Sequence, residues 1–148
     1  MPTTFSFPVE MKMPEPPGPE PINLVQARVP ARYSVLVNTA RTGTAVGATT
    51  IPLFVAPNGS SFYECVIDVL TGFDNTTTNI AVGTAAVSDR LHSAVTVNTG
   101  GRRGYAPTAA QISANGIPLT ADTTVVARVS IDGAVVTTGS VLIHVLID

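Results

Sequence analysis

Apolar and polar residues alternate along the chain from residue 33 onward, in short runs that are separated by clusters of Gly, Asn, Asp and Thr. Alternation with a period of two is typical of a strand that buries one face, and turn residues at these spacings are typical of β-sandwiches and barrels. No window shows the 3.6-residue period of a helix, and the best helical candidate is a single turn near residues 88–91. The strands that the pattern predicts lie at about 33–38, 49–55, 61–71, 78–83, 93–98, 110–114, 123–131 and 140–147.

The same alternation assigns side chains of the third run to the two faces of a strand. Glu64 and Asp68 fall on the outer face, because residues two apart share a face. Four residues fall on the core face: Tyr63, Cys65, Ile67 and Val69. A free thiol on that face behaves as a small apolar group, so Cys65 is predicted to be a core residue and not a nucleophile.

The last two runs show the strongest alternation in the chain. Arg128, Ser130 and His144 fall outside, and the inward residues are Val125, Ala127, Val129 and Ile131, followed by Val141, Ile143, Val145 and Ile147. We expect these two strands to pair as neighbours, through a tight turn at 132–133 or an eight-residue loop at 132–139. Together the runs predict an all-β fold, one antiparallel β-sandwich of jelly-roll-like form, over residues 31–148.

Residues 1–30 have a different composition and are predicted to be an extended Pro-rich arm. They contain eight of the 12 prolines, and fixed φ angles and missing N–H donors exclude a helix interior or a central strand there. The residues predicted to dock on a partner are Phe5, Phe7, Val9, Met11, Met13, Pro16 and Pro17. A solvated tail and an arm docked on its own domain are the alternatives.

Charge and cysteine content narrow the classes of function. The formal net charge is -2 and only 12% of residues are charged, so no strong positive field is available to bind nucleic acid or a membrane surface, and neither partner is expected. Cys65 is the single cysteine, which rules out an internal disulfide. With no secretory leader pattern, the chain is expected to fold in a reducing cytoplasm.

The sequence offers little chemistry for catalysis. Asp89 and His92 could be combined with one of many hydroxyl residues, but no serine lies in a Gly-x-Ser-x-Gly elbow. We therefore predict that the protein is not an enzyme. No cofactor is predicted.

Two further clusters of polar residues are candidates for binding. Oxygen ligands for Ca²⁺ could come from Asp68, Asp74, Asn75 and Asn79, but Asp and Asn also close β-turns, so no metal is predicted. The loop at 100–105 carries Arg102, Arg103 and Tyr105, which could bind an acidic partner surface. The alternatives for these arginines are a solvated loop, and nucleic acid or an anionic small ligand.

Three segments resemble small virion structural proteins of tailed bacteriophages. They are Phe-Asp-Asn-Thr-Thr-Thr-Asn-Ile-Ala-Val-Gly-Thr-Ala at 73–85, Leu-Thr-Ala-Asp-Thr-Thr-Val at 119–125 and Thr-Gly-Ser-Val-Leu-Ile-His-Val at 138–145. The resemblance extends over about residues 60–147 and implies a β-sandwich or jelly roll that decorates phage heads, often as a trimer, or serves in fibres and tails. It implies no catalytic residues.

From this resemblance and the arm we expect a homotrimeric decoration (cement) protein on the outside of the capsid, bound to the major capsid protein and made in the cytoplasm of the host bacterium. The arm favours the head, because an extended terminal segment suits assembly by strand addition to a neighbour. A module of a fibre, spike or tail is the second alternative. A carbohydrate-binding sandwich ranks third, because the chain has no Trp and only three Tyr to form aromatic platforms.

Overall fold

Residues 30–148 are described by a computed structural model, and they form two four-stranded antiparallel sheets. The strands are β1 (Ala31–Asn38), β2 (Gly47–Ala56), β3 (Phe62–Thr71), β4 (Asn79–Thr84), β5 (His92–Thr96), β6 (Gly101–Arg103), β7 (Thr123–Ile131) and β8 (Ser140–Ile147), and the helices are α1 (Thr39–Thr42) and α2 (Ala109–Asn115). The predicted sandwich is therefore confirmed. The predicted docking residues of the arm, Phe5 to Pro17, lie outside the described residues.

The strand order identifies the sandwich as a jelly roll. The first sheet has the order β1-β8-β3-β6 and the second has the order β2-β7-β4-β5. The hydrogen-bonded pairs β1 with β8, β2 with β7, β3 with β6 and β4 with β5 are those of one long hairpin that is rolled up into two sheets. Only the β4–β5 connection stays within a sheet.

This topology overturns the predicted pairing of the last two strands. β7 belongs to the second sheet and β8 to the first, and the eight-residue loop at 132–139 crosses between them. Gly133 in that loop has a φ of 79°, which glycine adopts without steric cost. The two strands face each other across the core, so their alternation reports burial and not pairing.

The core lies between the sheets and contains the predicted inward residues of the last two strands. All eight, from Val125 to Ile147, are buried, as are Cys65, Ile67 and Val69 on β3. Tyr33 on β1 stacks on Phe54 of β2, with ring centroids 4.0 Å apart, and this contact joins the two sheets at their edge strands.

Tyr63 is an exception to the predicted core face. Its side chain is 52% exposed, while the preceding Phe62 is buried. The register along β8 shifts between Phe62 and Glu64, so Tyr63 is the extra residue of a β-bulge. One inserted residue reverses the face of the residues before it, and the Tyr63 hydroxyl donates a hydrogen bond to Asp148 at the surface.

The segment at 110–114 was predicted as a strand and is a helix instead. It forms the centre of α2, because Ala-Ala-Gln-Ile-Ser-Ala consists largely of residues that a helix accepts well. The sixth strand of the jelly roll is the short β6, which the alternation did not predict. Neither helix within residues 30–148 is long and apolar enough to cross a membrane.

The strand registers define two ends of the sandwich. At one end Ala31 pairs with Ile147, which also pairs with Phe62. The other end carries Ser140 and the β7–β8 loop. We call the first the α2 end, because α2 contacts Arg90, which lies over the ring of Phe62.

Candidate partner-binding surface

Helix α2 begins with a capping box. The Thr108 side chain accepts a hydrogen bond from the Gln111 backbone N–H at 3.2 Å, and the Gln111 side chain accepts one from the Thr108 backbone N–H at 2.8 Å. Two N–H groups that a helix start leaves without partners are thereby satisfied. The capping box therefore stabilises the first turn of this seven-residue helix.

Two buried amide side chains hold α2 against the segment that follows β4, at 85–91. Gln111 donates through Nε2 to the backbone oxygen of Asp89, and Asn115 donates through Nδ2 to the backbone oxygen of Arg90 at 3.1 Å. The Arg90 guanidinium returns two hydrogen bonds, from Nε to Asn115 Oδ1 at 3.2 Å and from Nη2 to the Ala114 backbone oxygen at 2.8 Å. The second of these contacts satisfies a backbone carbonyl in the last turn of the helix, where positive charge is favoured.

An open groove lies between α2 and this segment. Its volume is about 470 Å³, which is in the range of pockets that bind small ligands or side chains. The lining is mostly apolar, and Val87 and Ile117 are at least half exposed. The principal lining residues are Val87, Asp89, Arg90, Ala110, Ala114 and Ile117.

The groove lies at the α2 end of the sandwich. The Arg90 guanidinium carbon is 5.4 Å from the centre of the Phe62 ring, a cation–π contact with the first residue of β3. Phe62 pairs with Ile147, and Ile147 pairs with Ala31. The groove and Ala31, the first residue of β1, are therefore at the same end.

A row of polar side chains crosses the outer face of the first sheet. Ser34 Oγ lies 2.8 Å from His144 Nδ1, His144 Nε2 lies 3.1 Å from Asp68 Oδ2, and Arg102 donates to both oxygens of Asp68 at 2.8 Å. Hydrogen bonds and the charge of Arg102 hold the pKa of Asp68 below its usual range, with a smaller contribution from His144. The same contact raises the pKa of Arg102.

This row contains a Ser, a His and an Asp, but its setting favours a structural role. Ser34, His144, Asp68 and Arg102 come from β1, β8, β3 and β6, so the row links all four strands in their spatial order. Ser34 is exposed on a sheet face and is not among the residues that line the groove. A nucleophilic serine requires a bound substrate and donors placed around a developing oxyanion.

The predicted binding loop has a different form in the structure. Arg102 and Arg103 lie on β6, where Arg103 donates to the backbone oxygens of Thr96 and Thr99 at 3.2 and 2.9 Å. Tyr105 is half-buried and packs against the core. Both guanidinium groups have partners within the chain, and their role in binding another protein stays a prediction.

The residues considered for Ca²⁺ make hydrogen bonds to the protein itself. Asp68 belongs to the polar row, whereas Asp74 accepts hydrogen bonds from the Thr137 hydroxyl and backbone N–H, which lower its pKa. Asn75 donates to the backbone oxygens of Asp132 and Ala134. Within residues 30–148, no group of three or more His, Cys, Asp or Glu side chains is placed to bind a metal.

His92 and Cys65 have partners or surroundings that do not suit catalysis. The two ring nitrogens of His92 lie 2.8 Å from the backbone oxygen of Ser93 and 3.1 Å from that of Gly104. Their partners are therefore backbone carbonyls and not hydroxyl groups. Cys65 is fully buried, and burial raises the pKa of its thiol to about 12, with a smaller effect from Glu64. The predicted core role of Cys65 is confirmed.

Solved structures with the same fold come from phage capsids. A chain in the acid-stable capsid of Helicobacter pylori bacteriophage KHP30 superposes with a TM-score of 0.59 and 14% identity, over 81% of this chain and 87% of that chain. A chain in the capsid asymmetric unit of cyanophage Pam1 superposes with a TM-score of 0.57 and 19% identity, over 83% of this chain and 94% of that chain. A chain in the capsid of Ralstonia phage GP4 superposes with a TM-score of 0.55 and 18% identity, over 80% of this chain and 81% of that chain. No family model and no curated protein matches the sequence.

These likenesses show a shared fold.

The groove beside α2 was not predicted from the sequence, because the segment that forms one wall was assigned to a strand. A Thr-x-x-Gln spacing at 108–111 is the sequence pattern of a capping box and marks the start of this helix.

Proposed function

We propose that this protein is a non-enzymatic structural protein of a phage virion that decorates the head and stabilises it. The observation that carries the proposal is the jelly-roll strand order, together with the likeness of the whole sandwich to chains in three phage capsid structures. Jelly rolls occur widely in viral capsids. Its partners would be the major capsid protein and further copies of itself, arranged as a trimer on the outer surface.

The exposed apolar residues of the sandwich agree with a protein that works in an assembly. Leu36 and Leu70 on the first sheet are 46% and 57% exposed. Leu36 pairs with Leu142 across β1 and β8, so apolar side chains adjoin each other at one end of the outer sheet face. Contiguous apolar surface of this kind is typical of interaction sites.

The copy number in virions distinguishes decoration from the alternative role in a fibre, spike or tail. Particles of the phage that encodes the chain should be purified, and its band on a gel should be quantified against the major capsid protein. Hundreds of copies per particle are expected, since decoration follows the symmetry of the head lattice. A few copies to a few tens indicate an appendage, and absence of the band excludes both roles.

Head stability tests the cementing role itself. Heads that lack the protein should release their DNA at a lower temperature, and added purified protein should restore the wild-type release temperature. Light scattering on the purified protein should give the mass of three chains. Unchanged release from depleted heads would contradict a cementing function, whatever the copy number.

A further inference from the structure

We propose that the groove beside α2 binds residues 5–13 of a neighbouring copy of this chain. The groove exposes mostly apolar surface, although Asp89, Arg90, Ser93, Thr108 and Gln111 are also among its lining residues, and no segment within residues 30–148 fills it. Residues 1–29 are outside the described part of the chain and contain the apolar residues Phe5, Phe7, Val9, Met11 and Met13. A groove of this kind and an apolar segment of the same chain are complementary.

The position at which the described chain begins supports this occupant. Ala31 is two strand spacings, about 10 Å, from Phe62. Arg90, a lining residue of the groove, lies over the Phe62 ring. The first residue of β1 is therefore at the same end as the groove and not at the end with the β7–β8 loop.

The composition of the segment matches the groove in a second respect. Residues two apart share a face in an extended chain, so the five apolar residues can be presented together. Lys12, the only lysine in the chain, lies between Met11 and Met13. In an extended segment Lys12 lies on the opposite face from these apolar residues, so the apolar face can contact the groove while the lysine stays in solvent.

The length of the spacer favours the groove of a neighbour over the chain's own groove. Residues 14–30 span up to about 50 Å at roughly 3 Å per residue when extended, which is long enough to reach a neighbouring copy. Prolines at 14, 16, 17, 19 and 21 restrict φ and oppose a return of the chain upon itself. Exchange of the segment between copies would join subunits and leave the sandwich of each subunit intact.

Disulfide trapping on the full-length protein tests the proposal without any capsid. Phe7→Cys and Ala110→Cys are made as separate single variants, mixed and mildly oxidised. A disulfide-linked dimer is expected, with a yield at least about tenfold above that of a Phe7→Cys and Val135→Cys mixture, because docking raises the local concentration of the thiols. Val135 is 61% exposed and lies in the β7–β8 loop at the opposite end. Cys65 is buried and should not react.

Three outcomes would overturn the proposal. Equal dimer yields with Ala110→Cys and Val135→Cys would mean that the segment does not select the groove, and so would the absence of dimer in both mixtures. A Phe7→Cys/Ala110→Cys double variant that gives only an internal disulfide would place the segment in its own groove and exclude the exchange.

A pair of charge substitutions gives an independent measurement. Ala110→Glu places a charge in the groove, whereas Ala109→Glu places the same charge on the adjacent helix residue, which is not a lining residue. Both glutamates lie in the first turn and suit the helix dipole equally. Light scattering should show dissociation only for Ala110→Glu, and equal masses for the two variants would contradict the proposal.

Discussion

Gly139 illustrates how a single residue fixes the last turn of the jelly roll. Its φ is 155°, and a Cβ atom at this position would overlap the ring of Phe73, which is fully buried. We expect Gly139→Ala to lower the free energy of unfolding by about 2–4 kcal/mol, since overpacking and an unfavourable backbone conformation add. Thermal unfolding should show a fall of roughly 10 °C in Tm.

Gly104→Ala is the matched control for this substitution. A Cβ at Gly104 would meet no atom within 4 Å, and its φ does not lie in the range that favours glycine. Its Tm should differ from wild type by no more than about 2 °C. Equal losses in the two variants would show that the contact with Phe73 does not constrain the turn.

The polar row predicts a pH dependence through Asp68. Contact with Arg102 lowers the pKa of this carboxyl in the folded protein, so the contribution to stability is present above about pH 4 and is lost as the pH falls below the unfolded value. Asp68→Asn should lower Tm by a few degrees at pH 7, and the difference from wild type should disappear near pH 2. Arg102→Gln should have a smaller effect, and the double variant less than the sum. A difference that persists undiminished at pH 2 would exclude an ionic origin.

Cys65 should be unreactive in the folded protein. The thiol is buried between the sheets and its pKa is raised to about 12, so almost no thiolate is present at neutral pH. A thiol reagent at pH 8 should label the protein only after a denaturant has been added. Rapid labelling of the native protein would show that the β3 region opens readily.

At the scale of elements, the alternation predicted strands well and helix α2 poorly. β7 and β8 were predicted with the bounds that the structure has, because their core residues recur at every second position, although Val126 between two of them is buried as well. α2 is only seven residues long, too short to show a helical period, and its formation depends on the capping box and on contacts with a distant segment. β6 is three residues long and has no alternation to detect.

Asn115 is the residue through which the docking of α2 can be tested. It is 2% exposed and exchanges hydrogen bonds with both the backbone oxygen and the guanidinium of Arg90. Asn115→Ala removes the partners of the Arg90 backbone oxygen and of its Nε–H, so we expect a loss of about 1–3 kcal/mol and faster amide exchange across α2. Ser113→Ala, on an exposed helix residue, should change neither measurement. Equal exchange in the two variants would mean that Asn115 does not hold the helix.

At the scale of the whole molecule, the pattern predicted the sandwich but not which strands pair. Alternation shows that one face of a strand is buried and does not show whether the next strand lies beside it or across the core. The rolled hairpin separates β7 from β8 and brings β1 beside β8, a pairing between the two ends of the described chain. The groove depends on this arrangement, because the groove forms only where α2 meets the segment after β4.

Deletion of residues 1–30 should leave a folded sandwich. In the described part of the chain, the core residues lie between Tyr33 and Ile147, and the strands of both sheets begin at Ala31 or later. The truncated protein should keep the β-type circular dichroism spectrum and unfold cooperatively, because no buried contact of the sandwich is removed. Its binding to heads should fall at least tenfold, since copies that the exchanged segment no longer joins would bind the head singly and not together. Tight binding by the truncated chain would make the arm dispensable, and loss of the folded spectrum would mean that the arm completes the sandwich.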